Sequence, residues 1–364
     1  MRAYFHEIFF GGPWRDPTLP SLVYLADRRI AGFLGVMPRP LRFRGEPIRA
    51  AIATQLMVDD TARALYPGVK LVKQFFAGAQ DLSFSDGANE SSERLWKAAG
   101  GTVSLLHSLE WTRVLRPVQC SMVEVRRRRP RLAVPIAVLA PAWQLCDAFA
   151  VRGIVGRWLR RYSLSEMDDV AVEWNPTSAA LLSCIREASA PRTLQPDYHV
   201  ESLGWLLEKA AEKQVHGKLR QMVVRGTNGQ ALGWCLYYLQ RGQPAHVLQF
   251  GGEAKSVHRV LDCLFLEAWK DGAVAVCGAL EPRFARALAE RHCGFMLSSY
   301  SVVAHSRRPE ILDALARGDA FLTRLEGEWW ARFSDPGWIL NESAGNGWAP
   351  KEPAIHDSRE AHAG

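Results

Sequence analysis

A chain of 364 residues, 48% apolar and 23% charged, has material for two packed cores, and its composition excludes a disordered or fibrous protein. The formal net charge of +7 would suit a phosphate-bearing or polyanionic partner without requiring one. Seven scattered cysteines (Cys120, Cys146, Cys184, Cys235, Cys263, Cys277 and Cys293) include no C-x-x-C pair, which argues against a disulfide framework or structural zinc and for reduced thiols. No charged n-region followed by a sustained apolar run opens the chain, so a cytoplasmic location is expected.

Residues 1–20 read as aromatic and turn-rich, with Gly11-Gly12-Pro13-Trp14 breaking any regular element. Strand-like runs at 21–25, 30–37 and 48–58, separated by turns at 27–29 and 44–46, predict an antiparallel meander. A loop from Asp59 to Gly68 leads into a helix whose apolar stripe is Leu71, Val72, Phe75 and Phe76. Residues 82–86 form the next strand and deliver Asn89 to a helix start, where its side chain can cap the first turn. Glu90 and Glu93 stand near the positive end of that helix dipole, and Gly100-Gly101 supplies a left-handed stop. Residues 101–115 read as one further strand.

The character then changes. Arg126-Arg127-Arg128-Arg129-Pro130-Arg131 is followed by an uncharged run, 132–146, which contains Pro135 and Pro141 and is too short to span a bilayer. Arg152, Arg157, Arg160 and Arg161 close the region. A connection between halves is preferred to a segment touching anionic lipid or RNA through 126–161, and no DNA partner is expected.

A second series begins at 168: a strand at 170–173, helices at 179–188 and 200–213, and a hairpin across Thr227-Asn228-Gly229. A strand at 246–250 ends in Gly251-Gly252. A helix follows with Val257, Val260, Leu261, Leu264, Phe265 and Ala268 on one face, then a strand at 274–277 and a helix from Pro282 to Cys293-Gly294-Phe295. Gly251 to Ser256 lacks the spacing of a nucleotide P-loop. Residues 318–330 read as a docked amphipathic helix with an aromatic end, and the residues beyond 341 as disordered.

Asn89, Ser92, Leu95, Trp96 and Gly100 fall in register on the pattern Asn-x-x-Ala-x-x-Leu-Tyr-x-x-x-Gly-Phe, and the strand delivering them resembles the last strand-helix unit of the GNAT superfamily of N-acyltransferases. Element order extends the resemblance over 20–115 and again over 168–305. It implies an α/β (α+β) fold of two GNAT-like halves, each a mixed, mainly antiparallel sheet flanked by helices. The expected divisions are an abbreviated half at 1–117, a linker at 118–165, a second half at 166–305, a docked helix at 306–340 and a tail at 341–364.

The resemblance also implies a function: direct transfer of an acyl group from acetyl-CoA or another acyl-CoA to a small-molecule or peptide amine. The pantetheine arm would lie between two splayed parallel strands and the pyrophosphate at the next helix start. Met57, Val58, Arg63, Gly68, Val69, Lys70 and Asn89 would hold the acyl-CoA in the first half, with Gly251 and Gly252 in the matching place of the second. A backbone N–H near Met57 or Val58 would face the developing oxyanion, and Asp59, Asp86 and Gln55 are the candidates for proton transfer. The chain departs from the family in two places. Its glycine-rich loop is reduced to Pro67-Gly68-Val69-Lys70, and Trp96 stands where many members place a tyrosine acid. No metal site is expected. The alternatives are a Fem-type transfer from aminoacyl-tRNA and a non-catalytic binding module.

Overall fold

The computed structural model describes residues 2–59, 66–129, 147 and 169–331. In chain order these form α1 (Arg2–Phe10), β1 (Leu22–Ala26), β2 (Arg29–Phe43), β3 (Glu46–Val58), α2 (Pro67–Phe76), β4 (Leu82–Ala88), α3 (Glu90–Ala99), β5 (Thr102–Val103), β6 (Leu109–Val114) and α4 (Pro117–Arg128). The second series is β7 (Val170–Trp174), α5 (Ser178–Ala188), β8 (Leu194–Pro196), α6 (Val200–Glu212), β9 (Lys218–Gly226), β10 (Ala231–Leu239) and β11 (Ala245–Gly252). It continues with α7 (Val257–Lys270), β12 (Ala275–Ala279), α8 (Ala285–Glu290), β13 (Gly294–Leu297), β14 (Ser301–His305) and α9 (Pro309–Ala316).

Two seven-stranded sheets result. The first runs β1-β2-β3-β4-β14-β5, with β8 paired to β2, and the second runs β13-β6-β12-β11-β10-β9-β7. The first series thus sends β6 into the second sheet, and the second series sends β8 and β14 into the first. β6 lies between β12 and β13, and β14 lies between β4 and β5. The two crossings run past each other and are stitched together. Ser104 donates its N–H to the Val302 carbonyl (2.8 Å), Ser298 donates to the Ser108 carbonyl (2.9 Å), and Ser108 Oγ accepts from Val302 N (2.9 Å). Residues 101–115 are therefore two strands in two sheets rather than one. The break is the turn at 104–108, closed by Ser108 N donating to Ser104 O (3.0 Å) and by Ser104 Oγ against His107 Nδ1 (2.8 Å). The divisions at 117 and 305 separate stretches of chain, not sheets.

Apolar periodicity places the cores as it should. Leu71, Val72, Phe75 and Phe76 of α2 and Trp96 of α3 pack on Leu34, Val36, Ala51, Ala53 and Val303 of the first sheet. Val257, Val260, Leu261, Leu264 and Ala268 of α7 pack on Met222, Val224, Val247 and Val276 of the second. Trp96 is 2% exposed and lies edge-on to Phe76 at 5.0 Å. Its match to a tyrosine acid is one of register alone, because the side chain is a core residue.

Two expectations are corrected. The opening residues form α1, because Phe5 and Phe9, four apart on one helical face, pack on Phe33 of β2. The sequence 318–330 is docked but is not the expected helix; within it only Trp329–Ala331 is helical, as a single 3-10 turn. The backbone groups that a helix would satisfy internally go elsewhere: Phe321 N donates to Leu194 O (2.8 Å) and Leu194 N to Asp319 O (3.2 Å). This strap, residues 319–331, lies against both sheets. Of the linker, α4 is described, with Asp147 accepting from Val118 N (2.9 Å) and Gln119 N (3.0 Å) at its start. Glu124 pairs with Arg127 (2.9 Å) and Arg128 (2.5 Å). Arg131, Arg152, Arg157, Arg160 and Arg161 of the linker and the tail at 341–364 lie outside the described residues. Among the described residues no helix is long and apolar enough to cross a membrane.

Candidate active site

Each sheet contains one parallel pair that opens after three rungs. In the first sheet β3 and β4 pair at Ala50–Leu82, Ala51–Ser83 and Ile52–Phe84, and the ladder stops there. In the second, β11 and β12 pair at Ala245–Val276, His246–Cys277 and Val247–Gly278, and again it stops. Beyond the last rung a gap widens between strands that run the same way. β3 is further bent by a bulge, since Phe33 faces Met57 while Gly35 faces Thr54. Gln55 sits in that bulge with φ 52°, a left-handed conformation that is uncommon for a residue other than glycine.

The first gap brings together most of the residues singled out from sequence. Gln55, Met57, Val58 and Asp59 follow one another along the free-running end of β3, and Met57 is 46% exposed. Gly68, Val69 and Lys70 form the first turn of α2, and a Cβ on Gly68 would lie 3.7 Å from a Val58 methyl. Pro67 has no N–H to offer and Lys70 N bonds Tyr66 O (3.2 Å). Lys70 Nζ lies 3.3 Å from the Tyr24 hydroxyl. Asp86 is on β4, two residues past the last rung. Asn89 caps α3 by accepting Ser92 N–H at 2.9 Å, a sufficient structural reason for its presence. Arg63 lies outside the described residues. Asp59 lies seven residues past Ile52 and Asp86 two past Phe84, an offset of about 16 Å along the strands at ~3.3 Å per residue, too far for the two to share chemistry.

The strap completes this site with residues that sequence reasoning did not single out. Glu328 Oε1 accepts from Ser85 Oγ at 2.6 Å, one residue past the last rung, and Glu328 N donates to Asp86 Oδ1 at 2.6 Å. A Cβ on Gly327 would collide with the Asp86 carboxylate, so only glycine lets the strap lie this close to β4. Arg39 of β2 is buried with its guanidinium 4.4 Å above the Trp14 ring. Its Nη1 donates to Pro38 O, and its Nε and Nη2 have no hydrogen-bond partner among the described residues. Burial pulls this guanidinium down to about 10, against the opposing pull of Glu326 and Asp86. The readable signal was Glu-Gly-Glu between apolar residues, two carboxylates in a segment otherwise fit for a core.

The strap also reaches the second gap. Leu322 and Thr323 line a cavity there together with 247–250 and 279–281, and Gln249 Nε2 donates to Thr323 Oγ1 (3.3 Å). Gln249, two residues past its rung, accepts from Trp234 Nε1 (2.8 Å) and donates to Glu326 Oε1 (3.0 Å). Tyr198 OH also donates to Oε1, while Thr323 donates its N–H (2.7 Å) and hydroxyl (2.5 Å) to Oε2. Burial pushes the Glu326 carboxyl up to about 8. At the far side Arg192 and Glu281 form a buried ion pair at 3.0 Å, with desolvation raising Glu281 to about 7. Gly251 and Gly252 serve packing. A Cβ on Gly251 would run into the Trp234 ring, and one on Gly252 would be 2.6 Å from Leu232 O.

Among the described residues no cluster of His, Cys, Asp or Glu side chains could hold a metal ion. Six cysteines there are free thiols. Phe84, Asp86, Glu110, Tyr300, Thr323 and Trp329 line an open cleft on the Asp86 side of the first gap.

Neither a protein-family model nor a curated protein matches the sequence. Solved structures do match the fold. A probable N-acyltransferase from Enterococcus faecalis V583 aligns over 84% of this chain and 69% of its own, at 9% identity and a TM-score of 0.52. A GCN5-related N-acetyltransferase from Anabaena variabilis ATCC 29413 aligns over 85% and 66%, also at 9% identity and 0.52. N-myristoyltransferase of Saccharomyces cerevisiae, solved with bound myristoyl-CoA, aligns at 10% identity and 0.48 over 85% and 71%. This chain spans about two thirds of the length of the first two, and at such identities the likeness is one of fold. With its two mixed sheets, each opening after three parallel rungs, the chain has the fold of the GNAT superfamily of N-acyltransferases.

Proposed function

We propose that the protein transfers an acyl group from acyl-CoA to an amine, and that the first half alone binds the acyl-CoA. The observation that carries this reading is a difference in burial: past the Ile52–Phe84 rung β3 runs, from Gln55 on, half-buried to exposed toward the start of α2, while past its own last rung β11 is buried through Gly252. The pantetheine arm would run along β3 from Gln55 to Val58 as an added strand. The pyrophosphate would take the first-turn amides of Gly68 and Val69, where the helix dipole favours negative charge, with Lys70 beside it. The thioester would then lie near Ser85, and the amine would approach through the cleft lined by Asp86, Tyr300 and Trp329. The protein's part is to align the two reactants, present a backbone N–H of the β3 bulge to the carbonyl oxygen, and take a proton from the amine.

Calorimetric titration with acetyl-CoA and decanoyl-CoA tests this. Gly68→Asp places a negative charge at the start of α2 and is expected to weaken binding at least tenfold. Lys255→Glu, a side chain 81% exposed near the start of α7, is expected to leave affinity within twofold. Absence of binding by either thioester overturns the reading.

A further inference from the structure

Three carboxylates converge where the strap meets the first sheet, and they are placed for different tasks. Glu326 is held by Tyr198, Gln249 and Thr323, which fixes the strap to the second sheet. Asp86 accepts the backbone N–H of Glu328 and lies under Gly327, which fixes the strap to β4. Glu328 is different. It is 6% exposed, and its carboxylate accepts a hydrogen bond from the hydroxyl of Ser85, the first β4 residue beyond the last rung.

We propose that Glu328, brought in by the strap, is the proton acceptor of the first half, and that Asp86 is a positioning residue holding the strap. This rests on the acyl-CoA reading above. A serine hydroxyl has one proton and two lone pairs. Ser85 donates its hydroxyl hydrogen bond to Glu328 and accepts Gly87 N–H (3.2 Å) with one lone pair, leaving the other for an amine N–H. In the transfer, the lone pair of a neutral amine forms the C–N bond to the thioester carbon. As the amine proton moves to Ser85 Oγ, the hydroxyl proton of Ser85 moves to Glu328. The C–S bond breaks with its electron pair on sulfur, and the proton on Glu328 balances the thiolate charge. Gly327 and Glu326 are the strap's two registers: one sets its distance from β4, the other its grip on the second sheet. A general base carried by the strap gives the second half a function, because Tyr198 and Gln249 hold the segment from which the carboxylate is presented.

The full chain is tested with two probes, bromoacetyl-CoA and acetyl-CoA. Bromoacetyl-CoA is expected to alkylate the introduced thiol of Glu328→Cys, forming an S–C bond with loss of bromide, at least tenfold faster than the introduced thiol of Glu326→Cys; excess CoA should protect. Ser85→Cys is the second positional variant and carries the test if Glu328→Cys fails to fold. Acetyl-CoA hydrolysis, with water as the probe nucleophile, is expected to slow at least tenfold in Glu328→Gln while acetyl-CoA affinity stays within threefold. Intact acetyl-CoA binding without labelling at position 328 or 85, or equal hydrolysis rates in Glu328→Gln and wild type, overturns the assignment of Glu328 and leaves the acyl-CoA reading standing. No acetyl-CoA binding by the wild type overturns that reading and this inference with it.

Discussion

The two gaps start alike and end differently. Both open after three parallel rungs, and both lead toward a helix, α2 or α7. In the first, the end of β3 is half-buried to exposed; in the second, β11 is buried from Val247 to Gly252. The strap touches both gaps, through Glu328 on Ser85 and through Glu326 on Gln249. The shared ladder pattern therefore does not decide which half binds a ligand; the burial of the strand end beyond it is what differs.

That comparison can be broken most forcefully at the buried ion pair beside the second gap. Arg192→Met leaves Glu281 buried without its cation and is expected to cost ~3–5 kcal/mol, read by urea denaturation. A cost near zero would mean that this edge of the second half is wetter than its burial indicates. Next come the glycines. Gly251→Ala and Gly252→Ala press a methyl into the Trp234 ring and the Leu232 carbonyl and should each cost ~2–3 kcal/mol. Gly68→Ala meets only the flexible end of Leu95 at 3.1 Å and should cost under ~1 kcal/mol. Equal losses at all three would erase the distinction between a packing glycine and a site glycine.

The strap's grip can be titrated. Glu326 is raised from 4.5 to about 8 by burial, so the folded protein keeps a proton that the unfolded chain releases. Stability from this group is therefore lost as pH rises between about 4.5 and 8. Relative to Glu326→Gln, the wild type should lose roughly 1–3 kcal/mol between pH 6 and 8. A pH-independent difference would show that the network holds a carboxylate rather than an acid. The smallest effect concerns Asn89. Asn89→Ala removes the cap of α3 and should cost ~1 kcal/mol by thermal unfolding, with acyl-CoA affinity unchanged. A large loss of affinity would restore to Asn89 the cofactor role expected from the family pattern.

Much of the fold was legible because it is written in local chemistry. The caps of α3, the stripe of α2, the hairpin turn at Asn228-Gly229 and the face of α7 depend on neighbours within one or two turns, and all appear where the spacing places them. Gln55, Met57, Val58, Gly68, Val69 and Asp86 could be nominated because they flank those elements. What could not be read was pairing across the chain. Nothing near Leu109 or Ser301 says that these strands exchange sheets, since a strand's alternation names its buried face and not its partner. The strap was misread as a helix for the same reason: its apolar residues suit a docked element, and its hydrogen-bond partners lie 128, 77 and 242 residues away.

The sequence by itself determined two α/β series with a splay-type strand-helix order and a set of candidate residues at the first gap. Tertiary structure alone decided how deeply each strand end is buried, that Asp86 anchors a backbone, and that Glu326 and Glu328 are buried at all. Carboxylates are expected in water, and only partners brought from distant parts of the chain can hold them in a core.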